Sequence, residues 1–309
     1  MAHNVETMAY AGETPWHGLG TRVLPDLTPA QMQKEAGLDW SVDLQEVFTE
    51  INGKNVSLPK KALVRSSDNR VLDVVGNDWK PVQNDEAFEF FADFVRAGDM
   101  EMHTAGSLRD GQLTWALAKV KGGFELFGGD TVEPYLLFSN PFLYGKSIDI
   151  RFTPIRVVCN NTLDLSLGTA VANSYKQGHR VTFDPTKVKE ALGVVTSKLD
   201  TYKEMAEFLG SKRYNGETLE EYLKLSFPVT GAKKEVSRNA VRAMEAVDSQ
   251  PGANFAEGSW WSAFNVVTYM HDHELGRNAD NRLSTSWFGT GRAKKVQALE
   301  RAIEFAEAA

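Results

Sequence analysis

From Trp40 onward the apolar and polar positions alternate with a period of two. S-V-D-L-Q-E-V-F-T-E-I runs into Asn52-Gly53, a dipeptide suited to the left-handed backbone of a tight hairpin turn. The pattern predicts a return strand K-N-V-S-L-P, a further strand K-A-L-V-R, a turn at Ser66-Ser67-Asp68-Asn69 and a strand R-V-L-D-V-V-G. Together these make an antiparallel meander of at least four strands. The period then changes. Val82-Gln83-Asn84-Asp85 enters a helix on which Phe88, Phe91, Phe94 and Val95 recur at helical spacing, as a core face would. Strands return in E-M-H-T-A-G-S-L, Q-L-T-W-A-L-A-K-V, D-T-V-E-P-Y-L-L-F-S-N and S-I-D-I-R-F-T-P-I-R-V-V-C. A loop containing Gly145 links the last two.

Upstream, residues 1–25 read as an irregular, aromatic-bearing entry. A short helix follows, with Thr28 as cap, Pro29 at its first position and Gly37 as its stop. Beyond about residue 185 the chain becomes helical. Asp184-Pro185-Thr186 starts a run in which Val188, Leu192, Val195, Leu199, Tyr202, Met205 and Leu209 keep helical spacing. Further helices are predicted near 217–225, 235–247, 259–273 and 292–308. The expected architecture is α+β. An antiparallel-sheet domain with packed helices fills residues 1–185 and a helical domain fills residues 186–309.

Composition narrows the function. With 309 residues, 42% hydrophobic and 24% charged, the chain can bury a sizeable core. A net charge of −7 argues against coating duplex DNA by overall charge, yet leaves room for a local basic groove. One cysteine makes neither an internal disulfide nor a thiolate zinc site, which fits a reducing compartment. The first residues, M-A-H-N-V-E-T-M-A-Y, lack a basic and an apolar signal region, and no apolar run approaches the roughly 20 residues of a membrane span. Cytoplasmic location is the expectation.

Against this acidic background stands a basic stretch. Arg151 to Lys189 carries Arg151, Arg156, Lys176, Arg180, Lys187 and Lys189 against Asp164 and Asp184. Such an excess suggests an anionic ligand, phosphate above all. The other reading pairs these cations with acids elsewhere in the chain. Tyr175 beside Lys176 and Arg180 joins an aromatic face to cations, the combination a sequence-tolerant single-strand site uses. Trp16-His17, between Pro15 and Gly18, either stacks on a base or plugs the core. In the tail, Arg292, Lys294 and Lys295 load the first turn of a helix with cations, which opposes the macrodipole unless an anion binds there.

Catalytic signatures are sparse. No G-x-S-x-G, G-x-x-x-x-G-K-[ST] or H-E-x-x-H occurs. His271-Asp272-His273 spaces its imidazoles onto different helix faces, so a polar helix end, with Asp272 paired to Arg277 or Arg282, outweighs a metal site. Cys159 follows two valines and is read as a core thiol rather than a nucleophile served by His17 or His179. No cofactor, metal or catalytic residue is expected.

Five blocks carry a resemblance. P-W-H-G-L-G-T (Pro15–Thr21), A-G-L-D-W-S-V (Ala36–Val42), V-Q-N-D-E-A-F (Val82–Phe88), P-I-R-V-V-C-N-N-T (Pro154–Thr162) and R-L-S-T-S-W-F-G (Arg282–Gly289) resemble the phage/plasmid-like proteins carrying domain of unknown function 932. The resemblance implies a mobile-element gene acting in a bacterial cytoplasm, and no defined chemistry. More loosely, the meander and its packed helix are similar in topology to phage single-strand annealing proteins. The function expected is a DNA-metabolism protein, an oligomeric annealing protein among its forms. It would bind single-stranded nucleic acid through Arg151, Arg156, Lys176 and Arg180, with Tyr175 and Trp16 stacking and His17, Arg292, Lys294 and Lys295 as further contacts. A nucleic-acid or nucleotide-processing enzyme and a phage factor binding a host protein are the alternatives.

Overall fold

The computed structural model describes residues 4–12, 19–156, 161–162, 174–192, 195–229, 236–276 and 279–309. In chain order the elements are β1 (Val5–Ala11), β2 (Thr21–Val23), α1 (Pro29–Glu35), β3 (Val42–Ile51), β4 (Lys54–Arg65), β5 (Val71–Gly76), α2 (Asn84–Ala97), β6 (Met100–Leu108), β7 (Leu113–Val120), β8 (Phe124–Leu126), β9 (Asp130–Pro141), β10 (Ser147–Arg156), β11 (Asn161–Thr162) and β12 (Ser174–Gly178). The helices α3 (Pro185–Leu192), α4 (Val195–Ser211), α5 (Gly216–Ser226), α6 (Arg238–Ala246), α7 (Trp260–Tyr269), α8 (Ala279–Phe288) and α9 (Thr290–Glu307) complete the chain. The fold is α+β, with antiparallel sheets, packed helices and a helical C-terminal region. It divides into two compact units: Met1–Lys121 with Tyr135–Arg151 and Ser174–Gly193, and Gly122–Pro134 with Phe152–Asn173 and Val194–Ala309.

The first unit holds two sheets. The larger follows the order β12-β10-β9-β7-β6-β1-β2, with β2 parallel to β1 and β12 antiparallel to the first half of β10. Helix α2 begins where Gln83 and Glu86 form a reciprocal capping box and ends at Gly98 in the left-handed conformation. Its Phe88, Phe90 and Phe91 are buried, and Phe90 meets Phe138 of β9 and Phe183 at ring distances of 5.6 and 6.4 Å. Phe88 and Phe91 are therefore core, whereas Phe94 and Val95 are half-buried. Thr28 caps α1 with Gln31 as partner, and Gly37 takes φ 67°.

The second sheet is β3-β4-β5. Asn52 and Gly53 both have positive φ, 52° and 73°, as a two-residue hairpin of this hand requires. One expectation is corrected. K-N-V-S-L-P and K-A-L-V-R are a single strand, β4, whose register against β3 shifts between Glu46 and Phe48. Pro59 does not break it, because β5 pairs only with Lys60–Val64 and leaves the proline on an open edge.

Arg65, at the end of β4, ties this ribbon down. Its guanidinium donates from Nη1 to both Glu6 oxygens at 2.9 Å and takes Asp68 in a two-point grip, Nε–Oδ1 2.9 Å and Nη2–Oδ2 2.6 Å. Glu6 also accepts from Ser107 Oγ at 2.9 Å. The Asp68 bonds hold the Arg65 proton more firmly than usual, against the opposing effect of burial, with Glu6 adding to them. Gly111, at φ +87°, leaves room for this group, since a Cβ there would come within 2.6 Å of Nη1.

In the second unit β8 and the start of β9 form a hairpin, and β11 pairs with the end of β10. The helical core centres on Trp260 and Trp261, each 1% exposed. Trp261 donates to Asp130 at 3.2 Å and meets Tyr202 edge-on, while Trp260 contacts Tyr222 and Phe305. Helix α7 runs into a π-helical turn, Met270–Glu274. There Asp272 Oδ1 accepts from Lys295 Nζ at 2.8 Å and from Ser286 Oγ, and all three side chains are buried. Asp272 thus pairs with Lys295 of α9; of the two expected partners, Arg282 donates from Nε to the Leu275 carbonyl at 3.2 Å, and Arg277 lies outside the described residues. Helix α8, which carries Ser286, was not anticipated from spacing; its two ends fall close to the π turn and to Gly289, and few of its positions are strongly apolar.

Breaking a buried pair leaves an uncompensated charge. Lys295→Met should cost about 3–5 kcal/mol by stranding Asp272, with Lys295→Met/Asp272→Asn recovering a large part of that in denaturant titrations followed by tryptophan fluorescence. Arg65→Met should loosen the ribbon's base while leaving its tip formed. Hydrogen exchange should rise first at Arg65–Val71 and Val5–Thr7, and equal acceleration throughout the chain would contradict the anchor role.

Candidate nucleic-acid interface

The basic stretch opens out when its partners are located. Arg151 is 3% exposed and bound to Asp149 at 2.9 Å, its cross-strand position facing Ser174. Arg180 lies at the surface against Asp78 at 3.0 Å. Lys187 pairs with Asp184, and Lys189 with Asp93 at 2.7 Å while resting over the Phe94 ring. The Asp93 carboxyl is held below its usual range mainly by the Lys189 hydrogen bond and charge. Much of the local excess is thus met by acids from distant segments. Lys176, on β12 opposite Asp149, is exposed and has no acid partner among the described residues.

Tyr175 is half-buried and donates its hydroxyl to Gln177 at 2.9 Å. In the tail, Lys295 is enclosed with Asp272, so the cation at that helix start is neutralised from within rather than offered to an anion. Arg292 is half-buried and Lys294 exposed. The Arg156 backbone, at the end of β10, pairs with Asn161 of β11. Trp16, His17 and Cys159 lie outside the described residues.

Strand pairing brings a different set of groups to Lys176. Ser147 of β10 sits opposite Gly178 of β12. The turn before Ser147, Leu143–Lys146, therefore lies beside His179 and Arg180. In that turn Tyr144 is 62% exposed, its backbone N–H bound by Asp73 Oδ2 at 2.7 Å. Lys60 Nζ stands 5.7 Å from the Tyr144 ring centre, and Lys146 is exposed with no acid partner among the described residues. Lys80, next to the His179 backbone, reaches Thr182 Oγ1 at 3.0 Å. Tyr144, Lys60 and Lys146, with Lys80, Lys176 and Arg180 on the neighbouring segments, thus combine an exposed aromatic ring with cations. An exposed aromatic face can stack on a base, and cations near it can meet backbone phosphates.

Sequence reasoning placed only Lys176 and Arg180 in this surface. The missing signal was local: Tyr144-Gly145-Lys146 interrupts two strongly apolar strands, where an aromatic beside glycine has little to bury against.

His179 supports this surface rather than acting on a ligand. Its ring is 3% exposed and stacks on Trp79 at 4.0 Å and 19°, with Nδ1 against the Lys80 carbonyl at 3.3 Å. Burial pushes its pKa down to about 4, against the Lys80 and Pro141 backbone contacts that favour the charged form. In the second unit, burial and then the charges of Lys295 and Lys294 push His271 down to about 3. An unfolded imidazole takes its proton near pH 6.5, which the folded protein refuses. Stability is therefore complete above about pH 6.5 and is lost as the pH falls toward 4, at up to about 1.4 kcal/mol per pH unit for each histidine. His179→Asn should reduce that slope by about one proton between pH 6 and 4.5. An unaltered slope in denaturant titrations across this range would contradict the buried neutral imidazole.

Among the described residues no helix is long and apolar enough to cross a membrane. No curated protein and no solved structure matches the chain. The profile of the family described as Domain of unknown function (DUF932) matches residues 71–302. That span takes in Val82–Phe88, Pro154–Thr162 and Arg282–Gly289 and leaves Pro15–Thr21 and Ala36–Val42 outside it. Matched over well more than half its length, the chain belongs to the DUF932 family.

Proposed function

We propose that this protein is a mobile-element DNA-metabolism protein that binds single-stranded nucleic acid in the bacterial cytoplasm and works as a homo-oligomer, with strand annealing as its reaction. The observation that carries this reading is the exposed Tyr144 ring with Lys60 over it and Lys146 beside it, continued by Lys176 and Arg180. Lysines hold phosphates as flexible point charges, and the tyrosine stacks without selecting a base. A strand held by its backbone keeps its base edges open to a complement, so annealing needs no covalent step and no nucleotide hydrolysis. Arg180 joins the set by exchanging Asp78 for a phosphate, an exchange that is cheap because exposed ion pairs contribute about 0–1 kcal/mol.

Mobility-shift titrations with single- and double-stranded oligonucleotides at two salt concentrations test this directly. Tyr144→Ala should weaken single-strand binding by about 1–3 kcal/mol. Lys146→Ala with Lys176→Ala should flatten the log–log salt dependence by about 1.4, at roughly 0.7 per phosphate contact. Equal affinity for duplex, or an unchanged slope in the folded double variant, would sink the assignment.

A further inference from the structure

Ribbon β3–β4 projects an apolar surface that nothing described covers. Of the twelve exposed large hydrophobic side chains among the described residues, seven belong to the three-stranded sheet: Leu44, Phe48, Ile51, Val56, Leu58, Val71 and Val74. Register places Ile51 and Val56 on one side with Thr49 and Lys54, and Phe48 on the other with Ser57. Both faces of the tip are open. An unsupported two-sided apolar ribbon is a liability in a free molecule.

Its two edges differ in sign. Strand β3 carries Asp43, Glu46 and Glu50 and no base, whereas Lys54–Lys61 of β4 carries Lys54, Lys60 and Lys61 and no acid. Only Glu46 and Lys61 pair with each other inside the ribbon. Among the described residues the outer edge of β3 has no strand partner, and β4 is unpaired on its far side from Lys54 to Pro59. In edge-to-edge pairing across a two-fold axis each strand meets its own copy, acid against acid or base against base. The two edges complement each other between successive copies.

We propose that the β3 edge of one copy docks on the β4 tip of the next, a head-to-tail contact that buries Phe48, Ile51, Val56 and Leu58. This names the surface behind the oligomeric part of the reading above and rests on it. A contact of this kind grows into a ring or a filament rather than stopping at a dimer. The register shift beyond Glu46 and the N–H missing at Pro59 limit pairing to the tip, which fixes where the next copy sits.

Sedimentation of the full chain without nucleic acid tests the contact. The wild type should form assemblies larger than a dimer at micromolar concentration. Asp43→Lys/Glu50→Lys and, separately, Lys54→Glu should each weaken self-association at least about tenfold through like-charge contacts. Mixing the two variants should restore assembly, since a basic β3 then meets an acidic β4; that recovery also shows both are folded. Phe48→Ser/Ile51→Ser should be monomeric in the same assay. Assemblies that survive both charge reversals, or variants that stay apart when mixed, would overturn the ribbon contact while leaving an oligomer in place. A wild-type monomer would overturn the oligomeric reading as well. Neither result touches strand binding through Tyr144, which the mobility shift reads independently.

Discussion

Arg65 carries a constraint that the first unit's working surfaces share. A two-strand ribbon that projects from its sheet has no core of its own, so its direction is fixed only where it is rooted. At that root one guanidinium takes Glu6 from β1 and Asp68 from the turn after β4, and lies 5.4 Å from the Trp40 ring at the start of β3. Planar, two-point geometry resists the twisting that a single ammonium contact would permit. Nearly buried, the group must also keep its partners, because losing either leaves a desolvated charge. Ser107 extends the grip to β6 through Glu6. The direction of the arm is thus referred to β1 and β6 of the larger sheet.

Local chemistry was readable from sequence wherever a residue type is needed by its own backbone. Thr28 with Pro29, Gly37 and Asn52-Gly53 marked element ends because caps and left-handed turns impose those choices within a few residues. The fold class followed from the change of period. The charge pattern was not readable in the same way. Arg151 to Lys189 looks basic only because Asp78, Asp93 and Asp149 lie outside the stretch, and strand pairing and packing return them to it. Lys295 is the sharpest case. Three cations on a helix start suggest a bound anion, but the negative group is Asp272, 23 residues earlier in sequence and presented by a π turn that no spacing rule marks. Tyr144 carries a local signal, an aromatic beside Gly145 between two apolar strands, but its setting is remote. It gains its cations from Lys60 and the β12 segment, neither of which is near it in sequence.

The two surfaces proposed for the first unit meet at Lys60. One side of this residue leads along β4 to the ribbon tip, and its ammonium turns over the Tyr144 ring. The groups proposed to hold a strand, Tyr144, Lys146, Lys176 and Arg180, all fall within the segment shared with the family, residues 71–302, whereas β3 and β4 precede it. Apart from Lys60, which both surfaces share, the proposed binding chemistry and the proposed means of repetition lie in different parts of the chain. A single Tyr144 surface offers one stacking face and a few cations, too little for a firm hold on a flexible strand at ordinary salt. Repetition changes this arithmetic, because a strand already held by one copy meets the next at high effective concentration. A head-to-tail arm would set successive surfaces at a constant interval, and a weak, base-blind site could then hold a long strand firmly while leaving each base free to exchange partners.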